Sequence, residues 1–152
     1  MRYRPNVGIV LQNSCGQIFI GRRVHPVSSC WQMPQGGINE GELPEAAMWR
    51  EVQEEIGTTK AVIVNEMSEW LRYDFPGHVQ SQVWNGDYVG QEQKWFLLRF
   101  AGTDKDINIV TAHPEFSEWK WASPSEVVRS AVDFKRDVYR KVLKFFAISF
   151  DA

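Results

Sequence analysis

The stretch that decides the fold runs from Gly36 to Thr58 and reads GGINEGELPEAAMWREVQEEIGT. It places six glutamates and one arginine between Glu40 and Glu55, and a glycine, Gly57, follows shortly after them. Pro44 suits the first turn of a helix and Gly57 suits a helix C-terminal cap. The segment therefore predicts a helix over 44–56 with a loop at each end.

The side chains of this helix separate into two arcs at about 100° per residue. The arc predicted to pack consists of Met48, Trp49, Val52 and Ile56. The acidic arc consists of Glu51, Glu54 and Glu55, flanked by Ala47 and Arg50. Like charges at this spacing destabilise a helix by a few tenths of a kcal/mol per pair. A hard divalent cation would compensate them, because such ions prefer carboxylate oxygens.

Length and composition indicate one globular domain covering residues 1–152. The chain has 43% hydrophobic and 24% charged residues, which is ordinary for a folded domain. Its two cysteines, Cys15 and Cys30, show no metal-ligand spacing and favour a reducing cytoplasm. The N-terminal apolar run is too short for a signal peptide, and no segment approaches membrane-spanning length. We expect a cytoplasmic protein with no membrane contact and no evident protein partner.

Charge is distributed unevenly along the chain, although the formal net charge is only −2. No global basic field indicates nucleic-acid binding. The acidic block lies at 40–55, while the C-terminal part is enriched in basic residues, namely Arg129, Lys135, Arg136, Arg140, Lys141 and Lys144. Such a run is either a solvated helix face or a surface that holds phosphates away from the acidic block.

Strand and helix signals alternate along the chain and predict an α/β domain with a mixed sheet. The predicted strands are Val7–Leu11, Ile18–Ile20, Trp31–Met33, Ala61–Val64, Trp95–Phe100 and Trp119–Ala122. A hairpin turn is expected over 13–16. The run 123–126, SPSE, has the form of a capping box and predicts a helix start. Apolar residues at helical spacing over 138–146 predict a final amphipathic helix.

The segment 36–58 as a whole resembles the Nudix box of the Nudix hydrolases. Every charged position and both glycines match, and the one departure is Thr58, where an aliphatic residue is usual. The resemblance implies that Glu51, Glu54 and Glu55 bind metal and that one of them assists deprotonation of water. It also implies that Arg50 pairs with Glu42 to orient the helix, and that a backbone carbonyl in the Gly36-Gly37 turn completes the coordination sphere.

The implied cofactor is a divalent cation, Mg²⁺ first, with Mn²⁺ or Zn²⁺ as alternatives. Hydrolysis of a polyphosphate brings water onto phosphorus beside several negative charges. A divalent cation neutralises that charge, orients the phosphates and lowers the pKa of bound water.

The flanking segments narrow the resemblance to bacterial RNA pyrophosphohydrolases and the related bacterial and plant dinucleoside polyphosphate hydrolases. These segments are YRPNVGI (3–9), WQMPQGG (31–37), QKWFL (93–97), PEF (114–116) and FKRDVY (134–139). The resemblance implies a Nudix fold, an α/β/α sandwich around a mixed sheet. It also implies that Glu115 acts as a further metal ligand or as the base.

Substrate contacts follow from the same resemblance and comprise Arg4, Arg23, Lys94, Phe134 and Lys135. Arginine and lysine side chains suit phosphates, and Arg23 with Phe134 could hold a base between them. Phe134 could equally belong to the core, because Val138 follows one turn later. Tyr73 could also face a nucleotide. The three histidines, His25, His78 and His113, receive no role.

Three functions remain open at this point. The leading one is removal of pyrophosphate from the 5′-triphosphate end of RNA, which leaves a 5′-monophosphate. The second is asymmetric hydrolysis of a dinucleoside polyphosphate such as diadenosine tetraphosphate, which the segment 84–91 resembles somewhat more. The third, a non-catalytic nucleotide sensor, is disfavoured by the complete set of glutamates.

Overall fold

The computed structural model of the protein describes residues 2–24, 29–80 and 87–149. Within these residues, eight strands form one sheet: β1 (Tyr3–Gln12), β2 (Ile18–Arg23), β3 (Trp31–Gln32), β4 (Gln35–Gly37), β5 (Ala61–Glu66), β6 (Leu71–Asp74), β7 (Gly90–Phe100) and β8 (Phe116–Ala122). The helices are α1 (Pro44–Ile56), the short α2 (Gly77–Gln80), α3 (Pro124–Arg129) and α4 (Asp133–Phe145).

The central pairing of the sheet is parallel and joins β1 to β7, from Tyr3 opposite Gly90 to Gln12 opposite Arg99. The main strand order is β3-β2-β1-β7-β5, while β4, β6 and β8 pair with β1, β7 and β2. The pairings other than β1 with β7 are antiparallel. The predicted mixed sheet is therefore confirmed.

Alternation along β7 separates the two faces of the sheet, because successive strand side chains point to opposite sides. Trp95 and Leu97 pack in the cluster that contains the buried side chains of α3 and α4. Phe96 and Leu98 pack in the cluster that contains those of α1. Helices on both faces of a mixed sheet form the predicted α/β/α sandwich.

Helix α1 has the bounds that the sequence predicts. Pro44 occupies its first turn, and Gly57 caps it in the left-handed conformation at φ 79°. The acidic arc is less exposed than predicted, because Glu51 and Glu55 are buried beside the packing arc. Ala47, predicted to flank the carboxylates, is fully buried in the core instead.

Several predicted elements are longer in the structure than in the sequence pattern. Strand β1 begins at Tyr3 rather than Val7, and β7 begins at Gly90 rather than Trp95. Their added residues are largely polar and pair with one another across the parallel ladder, so hydrophobicity did not reveal them. Helix α4 likewise begins at Asp133, ahead of its apolar repeat.

The hairpin turn after β1 is stabilised by an asparagine side chain. Asn13 Oδ1 accepts hydrogen bonds from the backbone N–H groups of Cys15 and Gln17 at 3.0 and 2.9 Å, and Gly16 has φ 79°. Neither Cys15 nor Cys30 forms a disulfide within the described residues. Among the described helices, none has the length and apolar character needed to span a bilayer.

Candidate active site

A cavity of about 740 Å³ opens between the C-terminal half of α1, strand β4 and the start of α4. One wall is acidic and contains Glu51, Glu54, Glu55 and Glu115. The rest of the lining, named the opposite wall here, meets the acidic wall where Arg23 contacts Glu115. It combines amides, rings and cations, namely Asn6, Gln32, Gln35, Gln91, Tyr73, Phe75, Phe134, Arg23 and Lys135. The cavity therefore brings together most of the site residues that the sequence predicts.

Arg50 holds the acidic wall in place. Its Nε and Nη2 each donate to a carboxylate oxygen of Glu42 at 2.9 Å, and Nη2 also donates to the Gly37 carbonyl at 2.8 Å. Its Nη1 donates to Glu51 at 2.7 Å and to Glu54 at 3.2 Å. The predicted pair with Glu42 is present, and one guanidinium ties the β4 turn to two of the clustered carboxylates.

Electrostatics differ sharply between the glutamates that surround Arg50. The hydrogen bond from Arg50 lowers the pKa of Glu42 to about 2, so this carboxylate stays ionised. Burial raises the pKa of Glu51, even though Arg50 hydrogen-bonds to it. Burial, followed by the charge of Glu51, raises the pKa of Glu55 well above its ordinary value. The positive charge near Glu51 and Glu55 is therefore too small to compensate both carboxylates when they are ionised.

Gly36 lies directly against this pair of carboxylates. A Cβ atom added at Gly36 would lie 1.9 Å from Cδ of Glu51 and 2.2 Å from both of its oxygens. Real Cβ atoms do not approach other heavy atoms so closely. Glycine is thus required here for the Glu51 carboxylate to reach the turn, which is the place where the resemblance puts a metal-binding carbonyl.

The acidic wall suits a hard divalent cation. Glu55 is only 4% exposed, lies against the Glu51 carboxylate and the Gln35 backbone, and has no ion-pair partner among the described residues. A buried carboxylate without a positive partner is costly, and a cation relieves that cost. Across 2–24, 29–80 and 87–149, no three His, Cys, Asp or Glu side chains already surround a common metal position. Arg50 contacts only Oε1 of Glu51 and only Oε2 of Glu54, so each carboxylate could bind a cation through its other oxygen without leaving Arg50.

Glu115 faces the cavity from the loop before β8. Its carboxylate lies 3.5 Å from Nε of Arg23 at the end of β2. Both side chains are partly exposed, at 37% and 40%, so the ion pair is accessible to a ligand. The structure thus brings the predicted fourth carboxylate and the predicted base-stacking arginine into contact.

Lys135 lies buried in the wall opposite the glutamates. Its Nζ donates to Oε1 of Gln32 at 3.4 Å, and the residue is only 6% exposed. Burial, together with the charge of Arg23, lowers the pKa of Lys135 to about 8. This ammonium can release its proton more readily than a surface lysine does.

Aromatic rings line the wall next to Lys135. Phe134 packs 6.0 Å from the ring of Tyr73 and 6.4 Å from that of Phe75. It is half-buried, contacts the core cluster on the α4 side and also lines the cavity. Phe134 therefore belongs both to the edge of the core and to the cavity surface.

A network of amides forms the wall closest to β4. The indole N–H of Trp95 donates to Oε1 of Gln93 at 3.1 Å. Because an indole can only donate, it fixes which end of the Gln93 amide faces it. The Nε2 group of Gln93 then faces oxygens of Asn6, Gln35 and Gln91 at 3.0–3.2 Å. Because the side-chain oxygens of Asn6 and Gln35 point toward Gln93, the NH₂ groups of the same two amides point away from it.

Two predicted phosphate ligands lie outside the cavity lining. Arg4 lies close by, since a Cβ added at Gly37 would meet its Nη2 at 2.6 Å. Lys94 is separated from the cavity, because β7 turns its side chain to the face opposite Gln91 and Gln93. Its ammonium donates to the Met67 carbonyl, so its position gives the predicted phosphate contact no support.

Some cavity residues were not predicted from the sequence. Asn6, Gln35 and Gln91 lie in segments that resemble the family but had no predicted role of their own. His113 had no predicted role either, although it lines the cavity. A signal did exist, since Asn6, Gln91 and Gln93 are amides directly before the apolar parts of β1 and β7. His25 and the 84–86 part of the segment 84–91 lie outside the described residues.

Comparison with known proteins places this geometry in a family. The model of the NUDIX domain matches residues 2–142. The chain is 52% identical over 146 residues to the RNA pyrophosphohydrolase of Wolbachia pipientis, covering 95% of this chain and 90% of that relative. It is 50% identical over 141 residues to the RNA pyrophosphohydrolase of Rhodospirillum rubrum, covering 93% and 85%.

Solved structures support the same fold. The Escherichia coli dihydroneopterin triphosphate pyrophosphohydrolase superposes with a TM-score of 0.70 at 16% identity, covering 95% of this chain and 99% of that one. An Ap4A hydrolase of Caenorhabditis elegans superposes with a TM-score of 0.67 at 19% identity, covering 93% and 98%. Together with the matched domain and the relatives at about half identity, these likenesses establish that the chain belongs to the Nudix hydrolase family.

Proposed function

We propose that this protein is a metal-dependent pyrophosphohydrolase that converts the 5′-triphosphate end of RNA into a 5′-monophosphate. The observation that carries the proposal is one cavity with an acidic wall facing a wall of rings and cations. A triphosphorylated RNA end needs both, since its phosphates require a cation and its first bases require stacking surfaces. The names of the relatives at about half identity support RNA as the substrate.

Glu51, Glu55 and Glu54 would hold the divalent cation, with Glu115 and the Gly36 carbonyl as further ligands. Mg²⁺ is the proposed ion, because the donors are oxygens and the substrate is a polyphosphate. When bound, the cation neutralises phosphate charge and activates water. Arg50 positions these carboxylates through the turn that carries Gly37.

In the reaction, a water oxygen bonds to phosphorus and an anhydride bond between the α and β phosphates breaks. Pyrophosphate is released, and the proton of the water passes to a carboxylate. Glu54 and Glu115 are the two candidate bases, because both line the cavity and are more exposed than Glu51 and Glu55. Both can therefore exchange a proton with solvent.

The opposite wall would bind the nucleotide end. Arg23 and Phe134 would hold a base between a guanidinium and a ring. Lys135 and the NH₂ groups of Asn6 and Gln35 would donate to substrate oxygens, and Arg4 would contact phosphates at the mouth. Lys94 has no part in this arrangement. Cys15 and Cys30 form no disulfide within the described residues, which fits a reducing cytoplasm as the place of the reaction.

The test is a side-by-side assay with magnesium on 5′-triphosphorylated RNA and on diadenosine tetraphosphate. We expect a higher kcat/KM on RNA, with pyrophosphate and 5′-monophosphorylated RNA as products. A much higher kcat/KM on the dinucleotide would instead identify a dinucleoside polyphosphate hydrolase. Absence of phosphate release from every polyphosphate tested would indicate a nucleotide sensor.

A further inference from the structure

A second groove, of about 480 Å³, lies between α3 and α4 and is strongly basic. Its lining consists of Ser125, Val128, Arg129, Arg136 and Arg140. No acidic side chain of the described residues lines it. Three guanidinium groups therefore face one groove on a protein whose formal net charge is −2.

The charges in this groove are not neutralised by the protein. Nε of Arg136 donates to the Ala131 carbonyl at 2.9 Å. This hydrogen bond fixes Nε and leaves the two Nη groups available. Within the described parts of the chain, Arg129, Arg136 and Arg140 form no ion pair within 4.0 Å. The nearby acid Asp137 pairs with Lys141 at 3.1 Å instead.

The placement of two of these arginines is unfavourable for the helix that carries them. Arg136 lies in the N-terminal part of α4, where the helix dipole disfavours positive charge. Arg140 follows one turn later, and like charges at i and i+4 repel by a few tenths of a kcal/mol. Asp133 and Asp137 precede Arg136 and Arg140 by three residues and offset part of this repulsion, and an anion in the groove would reduce it further.

The groove adjoins the cavity along the chain. Val132, Phe134 and Lys135 line the cavity, while Arg129 and Arg136 lie on either side of this segment and line the groove. Both openings thus use side chains from the first turn of α4. An RNA that fills both would pass around the start of this helix.

We propose that the groove of Arg129, Arg136 and Arg140 binds the phosphodiester backbone of RNA downstream of the 5′ end held in the cavity. This inference rests on the proposed function. Arginine forks suit phosphate oxygens, and their binding needs no particular base sequence. A dinucleoside polyphosphate has no downstream phosphodiester, so the groove would favour RNA over that substrate.

The experiment compares a triphosphorylated dinucleotide with a longer triphosphorylated single-stranded RNA. The test variant is the double substitution Arg129→Gln with Arg140→Gln, and the control is Lys144→Gln, an exposed charge on the same helix. We expect the double variant to raise KM for the longer RNA about tenfold and to leave the dinucleotide unchanged. The logarithmic salt dependence of binding should weaken by about 0.7 per lost phosphate contact.

A second readout does not depend on turnover. Binding of 5′-monophosphorylated single-stranded RNA, measured by fluorescence anisotropy, should weaken in the double variant and not in Lys144→Gln. Failure of the proposed function would appear as no pyrophosphate release by the unaltered protein, whatever the anisotropy. If the groove does not bind RNA, the double variant and the unaltered protein will have equal KM, affinity and salt dependence. That outcome is expected if the groove binds an acidic protein instead.

Discussion

The two walls of the cavity are built in different ways. The acidic wall is mostly local, since three of its four glutamates belong to α1 and the hydrogen bonds of Arg50 span at most 13 residues of sequence, while Glu115 comes from the loop before β8. The opposite wall joins distant strands, because Gln93 reaches Gln35 and Asn6 across 58 and 87 residues. Most groups proposed for the chemical step thus come from one helix and turn, whereas those proposed for substrate binding depend on how the whole sheet assembles.

This difference predicts separate kinetic effects. Changes in the acidic wall should act on the chemical step and lower kcat. Changes in the opposite wall should act on substrate binding and raise KM. The predictions below test this division, in order of decreasing expected effect.

The largest effect is expected for Glu55→Gln. Loss of the innermost carboxylate should lower kcat/KM by about 10³-fold, because cation binding and charge neutralisation fail together. Without metal, the melting temperature at neutral pH should rise, since the pKa of Glu55 is raised by burial and its ionised form destabilises the fold above its unfolded pKa. Activity assays and thermal melts measure both quantities.

Glu45→Gln is the control for this substitution, because Glu45 is an exposed glutamate at the start of the same helix. It should leave the rate unchanged and lower the melting temperature slightly, because it removes an acid from the first turn of α1. Unchanged turnover in Glu55→Gln would contradict the metal site, and a lower metal-free melting temperature would contradict the uncompensated charge.

The next effect is expected for Gly36→Ala. The added Cβ would meet the Glu51 carboxylate at about 2 Å, so either the turn or the carboxylate must move. We expect kcat to fall about 100-fold, because misplacement of catalytic groups by about 1 Å has effects of this size. Gly77→Ala is the control, since a Cβ there meets no atom within 4 Å. Equal kcat values for Gly36→Ala and Gly77→Ala would show that turnover does not depend on the close approach of Glu51 to residue 36.

The sequence predicts the acidic wall far better than the opposite wall, for physical reasons. Helix spacing places Glu51, Glu54 and Glu55 together before any tertiary contact is known. The burial of Glu51 and Glu55 was not predictable, because it depends on the contact of α1 with β4. Alternation puts Lys94 on the face of β7 opposite Gln91 and Gln93, but which of the two faces meets the cavity depends on how β7 pairs with β1 and β6.

Phe134→Ala tests the opposite wall at its aromatic edge. We expect KM for triphosphorylated RNA to rise about tenfold while kcat changes little, because stacking of one base on a ring contributes about 1–3 kcal/mol. Phe145→Ala is a matched control, since Phe145 is a 46% exposed ring on the same helix. Equal KM for both variants would assign Phe134 to the core alone.

The smallest effect is expected for Gln93→Leu, which removes the residue that orients the side-chain amides of Asn6 and Gln35. In the unaltered protein, Trp95 fixes Gln93, and Gln93 turns the oxygens of Asn6 and Gln35 inward. In Gln93→Leu, each of these two amides can adopt either orientation. If each presents its NH₂ half of the time, the binding-competent fraction falls to about one quarter, and KM rises about fourfold with kcat unchanged.

The same substitution leaves the buried indole N–H of Trp95 without its acceptor, which should lower the free energy of unfolding by about 1–3 kcal/mol. Kinetics must therefore be measured at a temperature where denaturation curves show the variant to be folded. Gln53→Leu, an exposed glutamine of α1, controls for loss of an amide elsewhere. A folded Gln93→Leu protein with unaltered KM would show that Gln93 does not orient the amide donors of Asn6 and Gln35. A fall in kcat alone would show that this wall acts on the chemical step, which would contradict the proposed division between the two walls.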